Sequence, residues 1–240
     1  MKRSSRFANS ILLITVCTAP LTVRGALFQD NFDTYVAGSQ MHGQGGWKGW
    51  DNTPGAGALA DNAFSFSASN SVNINGGSDL VQTFTGATSG QWVFRAMQYV
   101  PSSSAGDSFI ILLNTYNDGG PYNWSIQTHM NLGTNVVTAD YGGGTLPLLK
   151  DQWVEYRAEI NLDANSVTEF YNNQPLGTHT WTSDGNSVLA IAAVDLFANG
   201  AGAVYYDNVS LVPEPSSALL SAVTAIAGLC LVRNRKGMPN

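Results

Sequence analysis

The sequence predicts an all-β sandwich of the jelly-roll kind, carried between an N-terminal export signal and a C-terminal apolar helix. Three observations predict it. Short runs of alternating apolar and polar residues recur from residue 27 to 212, separated by Gly, Asn, Asp and Ser turns. That stretch holds no amphipathic helical pattern, and about a dozen strands of this length make a sandwich or jelly roll. Outside it stand two uncharged apolar segments, each with basic residues at one end.

The N-terminal segment comes first. Lys2, Arg3 and Arg6 precede the apolar core Ile11-Leu12-Leu13-Ile14-Thr15-Val16, and small and turn-forming residues follow as far as Ala26. These are the n-region, h-region and cleavage region of a secretory signal spanning residues 1–26. The core, about 7–10 residues, is too short for a bilayer that takes roughly 20. Cleavage after Gly25 puts Val23 and Gly25 at the two small-residue positions; cleavage after Ala26 puts Arg24 there. A buried N-terminal helix is the competing reading.

Residues 27–211 then suit one domain, large enough to bury a core without staples. Cys17 and Cys230 both lie outside it, which excludes an internal disulfide, a cysteine nucleophile and a thiolate metal site. Cys17 is also no lipoprotein anchor, because Ile14-Thr15-Val16 lacks small residues. Between residues 27 and 212 the basic residues are Lys48, Arg95, Lys150 and Arg157, against sixteen acids. Such a surface repels phosphate backbones, so nucleic acid is not a partner. It accepts neutral sugars and attracts cations such as Ca²⁺.

Along the domain, Phe109-Ile110-Ile111-Leu112-Leu113 is apolar on both faces, which predicts a central strand or a sheet covered on both sides. Tyr122, Trp124, Ile126, Thr128 and Met130 alternate with polar residues. The run 152–162 puts Val154, Tyr156, Ala158, Ile160 and Leu162 on one face, with Glu155, Arg157, Glu159 and Asn161 on the other. Residues 163–166 turn the chain into Val167–Tyr171, and Asn172-Asn173 favours a tight turn because Asn tolerates positive φ. Strands over Val188–Phe197 and Ala203–Val212 complete the set. The order from Trp153 to Leu176, with the opening 27–35, the Gly-rich stretch 42–51 and the closing 204–211, resembles concanavalin A-like and laminin-G-like domains. That resemblance implies a fold more than an activity.

The tail covers residues 212–236. Pro213-Glu214-Pro215 cannot enter a helix interior or continue a strand and reads as an exposed, extended hinge. Residues 216–232 carry no charge, enough for a short transmembrane helix, and Arg233, Arg235 and Lys236 keep its end cytoplasmic. Pro-Glu-Pro, apolar helix and basic end, in that order, resemble the PEP-CTERM sorting signal of Gram-negative bacteria. The resemblance implies an exosortase as partner, transit through the inner membrane, and transfer to the outer cell surface or extracellular matrix. A plain single-pass anchor is the alternative.

Several chemistries come into question for the domain. Laminarinase-type hydrolases share the fold and carry Glu-x-Asp-x-Glu. The nearest stretch here, Glu155 to Glu159, has Arg157 at the centre, which fits a same-face charge ladder better than catalysis. His42, His129 and His179 have no nucleophile or metal-pair spacing, and Gly142-Gly143-Gly144 lacks a phosphate-loop context, so no catalytic residue is assigned. Sugar contacts fall on two groups, Trp47, Trp50 and Asp51 in the Gly-rich loop, and Tyr116, Tyr122 and Asn123 around residues 119–121. These aromatics plugging the sandwich ends is the alternative. Asp195, alone in an apolar run, is expected to pair with Arg157 or across the sheet. The concanavalin A-like resemblance also implies that first-strand and last-strand acids share a structural Ca²⁺, which makes Asp30 and Asp207 candidate ligands. The composite expectation is a non-catalytic exported domain that binds polysaccharide. A purely structural envelope protein and a glycan hydrolase or lyase are the alternatives.

Overall fold

Fifteen strands make up about half of residues 25–214, which a computed structural model describes. In chain order they are β1 (Phe28–Asp30), β2 (Trp47–Gly49), β3 (Leu59–Asp61), β4 (Ser71–Gly76), β5 (Asp79–Thr83), β6 (Gln91–Tyr99), β7 (Asp107–Tyr116) and β8 (Tyr122–Asn131). There follow β9 (Val136–Ala139), β10 (Thr145–Pro147), β11 (Trp153–Asn161), β12 (Ser166–Tyr171), β13 (Gln174–His179), β14 (Ala193–Asn199) and β15 (Ala201–Pro213). The helical elements among the described residues are two single 3₁₀ turns, Trp50–Asn52 and Pro54–Ala56. None of them is long and apolar enough to cross a membrane.

All pairings are antiparallel and form two sheets. The first runs β13-β12-β11-β6-β15-β4-β3, with β1 also on β15; the second runs β10-β9-β8-β7-β14-β5-β2. The chain changes sheet through very short links, Gly77-Ser78 between β4 and β5, and Gly200 between β14 and β15. β15 is long enough to serve two partners on one side, β4 along Ala201–Tyr206 and β1 along Val209–Leu211. The two inner faces share one core, with Phe94, Tyr156 and Ile160 of the first sheet against Ile110, Leu112, Ile126 and Leu196 of the second. Burial of these side chains, about 1.5–3 kcal/mol each, is what holds the sheets together.

The alternation expected in 153–161 is present, with Val154, Tyr156, Ala158 and Ile160 buried. Asn172 and Asn173 both take positive φ, 50° and 59°, as a tight hairpin turn requires. Arg157 reaches Glu155 and Glu159, each at 3.1 Å, so that row is the charge ladder expected of it. One buried acid is unannounced. Glu169 points inward between Val167 and Tyr171, where the Tyr156 hydroxyl donates to it at 3.0 Å and His179 Nε2 lies 3.2 Å away.

Several expectations need correction. The strand expected over Val188–Phe197 begins only at Ala193, and Val188 and Leu189 are exposed. Pro213 is not a hinge. It ends β15 in register with Trp92, and the next residue, exposed Glu214, donates its N–H to the Gln91 carbonyl at 2.9 Å. Consecutive N–H groups of a strand point to opposite sides, so the donor that Pro213 lacks falls on the open side beyond β1. Pro215, Arg233, Arg235, Lys236, the apolar segment 216–232 and the signal as far as residue 24 lie outside the described residues.

Candidate functional site

The outer face of the second sheet is apolar too, and this is where β7 uses its second apolar face. Ile110 and Leu112 enter the core, whereas Ile111 and Leu113 join Val81, Ala193 and Tyr116 in a separate buried cluster on the far side. Half-buried aromatics cover that cluster: Trp50, Phe109, Tyr122, Trp124 and Phe197. Trp50 stacks on Trp124 at 6.1 Å and 23°, and meets Tyr122 at 4.8 Å and Tyr116 edge-on at 5.0 Å. Phe197, Phe109 and His129 form a second stacked row, with centroids 5.6 and 4.6 Å apart. Between the two rows lies a depression of 290 Å³, at the lower end of the roughly 300–1,000 Å³ of ligand sites.

Its floor is acidic. β5, β14 and β7 pair so that Asp79 sits opposite Phe197, and Asp195 sits between Val81 and Ile111. Asp195 is 3% exposed. The two carboxyls are diagonal neighbours on one face of the β5–β14 pair. Burial, and then the neighbouring Asp79 charge, raises the Asp195 pKa well above the carboxylate range; burial raises that of Asp79 as well. Gln127 completes the polar lining, and no basic side chain among the described residues borders the depression.

A rim holds the aromatic wall in place. Asp51 accepts the Tyr122 hydroxyl at 2.5 Å and the Gly119 N–H at 2.9 Å, and its own N–H donates to the Tyr116 hydroxyl at 3.0 Å. The Tyr122 hydrogen bond, foremost, lowers the Asp51 pKa, so this carboxylate stays ionised. Lys48 bridges to Asp118 at 2.6 Å and lies 5.1 Å from the Tyr116 ring. Asn123 donates its amide to Asp184, at 3.0 Å to the carbonyl and 3.2 Å to the carboxylate, and so braces the rim.

The structure therefore joins the two aromatic groups that sequence kept apart, with one exception. Trp47 is not on the surface. It is 1% exposed, packed at 5.6 Å against both Phe28 and Phe32, with its indole N–H donating to Asp30 at 2.8 Å. β2 alternates, so Trp47 points in and Lys48 out; the 3₁₀ turn that follows then delivers Trp50 to the outer face. Gly49 permits that reversal, because a Cβ there would lie 2.0 Å from the Thr53 carbonyl oxygen.

Asp30 and Asp207 are not two ligands of one ion. Asp30 accepts from Phe32 N–H, the Tyr35 hydroxyl and Trp47, while Asp207 accepts from the N–H groups of Phe66, Ser67 and Asn208. They share no partner, and oxygens already filled by N–H and O–H donors do not fit a cation. Each anchors its own loop. Among the described residues no group of three or more His, Cys, Asp or Glu could hold a metal. Of the two alternatives for Asp195, Arg157 falls because it lies on the other sheet, and the cross-sheet neighbour is Asp79 on the adjoining strand β5. Phe109, Trp124, Gln127, Phe197 and Asp79 were not foreseen as site residues. The double-sided apolarity of 109–113 was the signal that pointed to their face.

No family model matches the sequence, and no curated protein matches it. Among solved structures a sialidase superposes with a TM-score of 0.55 at 8% identity, over 78% of this chain and 18% of its own, so the chain spans under a fifth of that protein. The globular domain of T. cruzi calreticulin gives 0.53 at 12% identity, over 85% of this chain and 94% of that domain. An endo-β-1,4-glucuronan lyase from the fungus Trichoderma reesei gives 0.52 at 9% identity, over 79% of this chain and 96% of the lyase. At these identities the likeness is one of fold: the chain has a jelly-roll-like sandwich of two antiparallel sheets.

Proposed function

We propose that this chain is an exported surface or matrix protein whose sandwich, of concanavalin A-like kinship, holds polysaccharide on the outer face of its second sheet without turning it over. The observation that carries this is the depression between the Trp50–Trp124 and Phe109–Phe197 rows, with Asp79, Asp195 and Gln127 on its floor. Aromatic rings receive the C–H faces of sugars, and carboxyl and carboxamide groups take the hydroxyls. Export rests on residues 1–26 and sorting on residues 212–236, with an exosortase cutting the tail at the inner membrane and the domain passing to the outer surface. The solved structures named above include a sialidase and a lyase, which keeps catalysis a fair rival. Against it, a glycosidase pair needs an ionised carboxylate as nucleophile or base beside its acid, whereas burial raises the pKa of both Asp79 and Asp195 and disfavours that charge. The test is a glycan panel probed with the purified full-length protein, with product assays run alongside. Retention of polysaccharide with no reducing ends and no unsaturated products supports the reading. Glycan cleavage that Asp195→Asn abolishes, or no retention on any glycan, overturns it.

A further inference from the structure

The floor of the groove carries acceptors that no donor among the described residues satisfies. Asp195 is almost fully buried, yet its Oδ1 meets no donor, and the Asp79 Oδ1 is likewise unpartnered. Buried polar atoms of this kind are uncommon because desolvating them costs free energy that only a hydrogen bond returns. Both carboxyls border the depression, so the groove is the side from which a donor would reach the pair.

The charged groups nearby are engaged elsewhere. Lys48, in register with Val81 on the same face, is held by Asp118. Asp51 holds Tyr122, and Asp107 lies 2.6 Å from His129 beyond Phe109. Lys150 donates to the Ser104 and Leu132 carbonyls, and Arg95 and Arg157 sit by Glu155 on the first sheet. What the site lacks is a compact cation with several N–H donors. A metal ion does not meet that need, because two carboxyls and one carboxamide fall short of the six to eight oxygens that Ca²⁺ takes.

We propose, building on the polysaccharide reading above, that the Asp79–Asp195 pair is a subsite for the free amine of a hexosamine unit, so that the groove selects de-N-acetylated glycans. An ammonium in the groove brings three donors to a carboxyl pair that no basic side chain among the described residues serves, in charge-assisted bonds. The Trp50, Trp124 and Phe109 rings that line the walls favour a cation over their faces. An N-acetyl group would set a carbonyl acceptor against carboxyl acceptors, and a uronate would be repelled.

Binding of the full-length protein to hexamers of β-1,4-linked glucosamine, N-acetylglucosamine and glucose at pH 6 tests this. The glucosamine hexamer is expected to bind about tenfold or more tightly than the other two, and Asp195→Asn and Asp79→Asn each to erase that preference. Thermal melts of both variants establish that they remain folded. Equal affinity for all three hexamers overturns the subsite and leaves the polysaccharide reading standing. The same holds if none of the three binds to a protein that retains other glycans on the panel. Failure on the whole panel sinks both. Hexalysine binding as tightly as the glucosamine hexamer would reduce the effect to bare charge and overturn the sugar subsite.

Discussion

Replacing Asp195 with asparagine removes a carboxyl titration that the fold holds far from its ordinary range, and its consequence can be worked out with sign. In the native protein burial, and then the neighbouring Asp79 charge, raises the Asp195 pKa well above the carboxylate range, so Asp195 keeps its proton where a free aspartate has lost it. In the unfolded chain both are ordinary aspartates with pKa near 3.9. Above about pH 4 the native state therefore binds one proton more than the unfolded state. Stability falls as pH rises, by about 1.4 kcal/mol per pH unit, until Asp195 gives up its proton. The asparagine side chain keeps the shape and does not titrate. The variant should lose that slope and be the more stable protein at neutral pH. For a domain of this size, 1.4 kcal/mol is roughly 3–6 °C in Tm. Thermal melts of wild type and variant at half-unit steps from pH 4 to 8 read the difference directly, since titrations away from the Asp79–Asp195 pair cancel between them. Parallel curves, or a variant that melts lower throughout, would refute the raised Asp195 pKa.

Other outcomes follow from the same contacts. Glu169→Ala strips Tyr156 and His179 of a buried acceptor and should cost about 3–5 kcal/mol in denaturant titration. Trp47→Ala opens the core and orphans Asp30, a loss of about 3–5 kcal/mol, whereas half-buried Trp50→Ala should cost only about 1–2 kcal/mol. Mass spectrometry of the protein from outer cell fractions should find no peptides from residues 218–240, and an intact tail there would refute sorting.

The parts of this fold that sequence discloses are those set by local alternation. Residues 153–161 and the Asn172-Asn173 turn read correctly because a buried face and a positive-φ turn each have a signature within a few residues. The double-sided apolarity of 109–113 likewise announced a strand with two covered faces. What sequence hides depends on register between distant strands. Asp195 stood out as an anomaly, but its partner Asp79 lies on another strand, and only the β5–β14 pairing sets them together. Trp47 and Trp50, in one Gly-rich stretch, looked equivalent until the 3₁₀ turn after β2 sent them to opposite faces. Glu169 shares the inward spacing of Val167 and Tyr171, but the partners that let an acid be buried there, Tyr156 and His179, come from neighbouring strands.

The central claim is that glycan sits against the Trp50–Trp124 wall of the second sheet, and retention on extracted matrix polysaccharide tests it most directly. Wild-type protein is compared with Trp50→Ala, Trp124→Ala and, as a control, Trp153→Ala, whose ring packs with Tyr99 and Phe66 by the first sheet. A sugar's C–H face that covers roughly 40 Å² of an aromatic platform is worth about 1 kcal/mol, so loss of either groove tryptophan should cut retention roughly fivefold. The Trp153 variant should bind like wild type. Equal retention by all four proteins, or loss only in Trp153→Ala, would contradict the account.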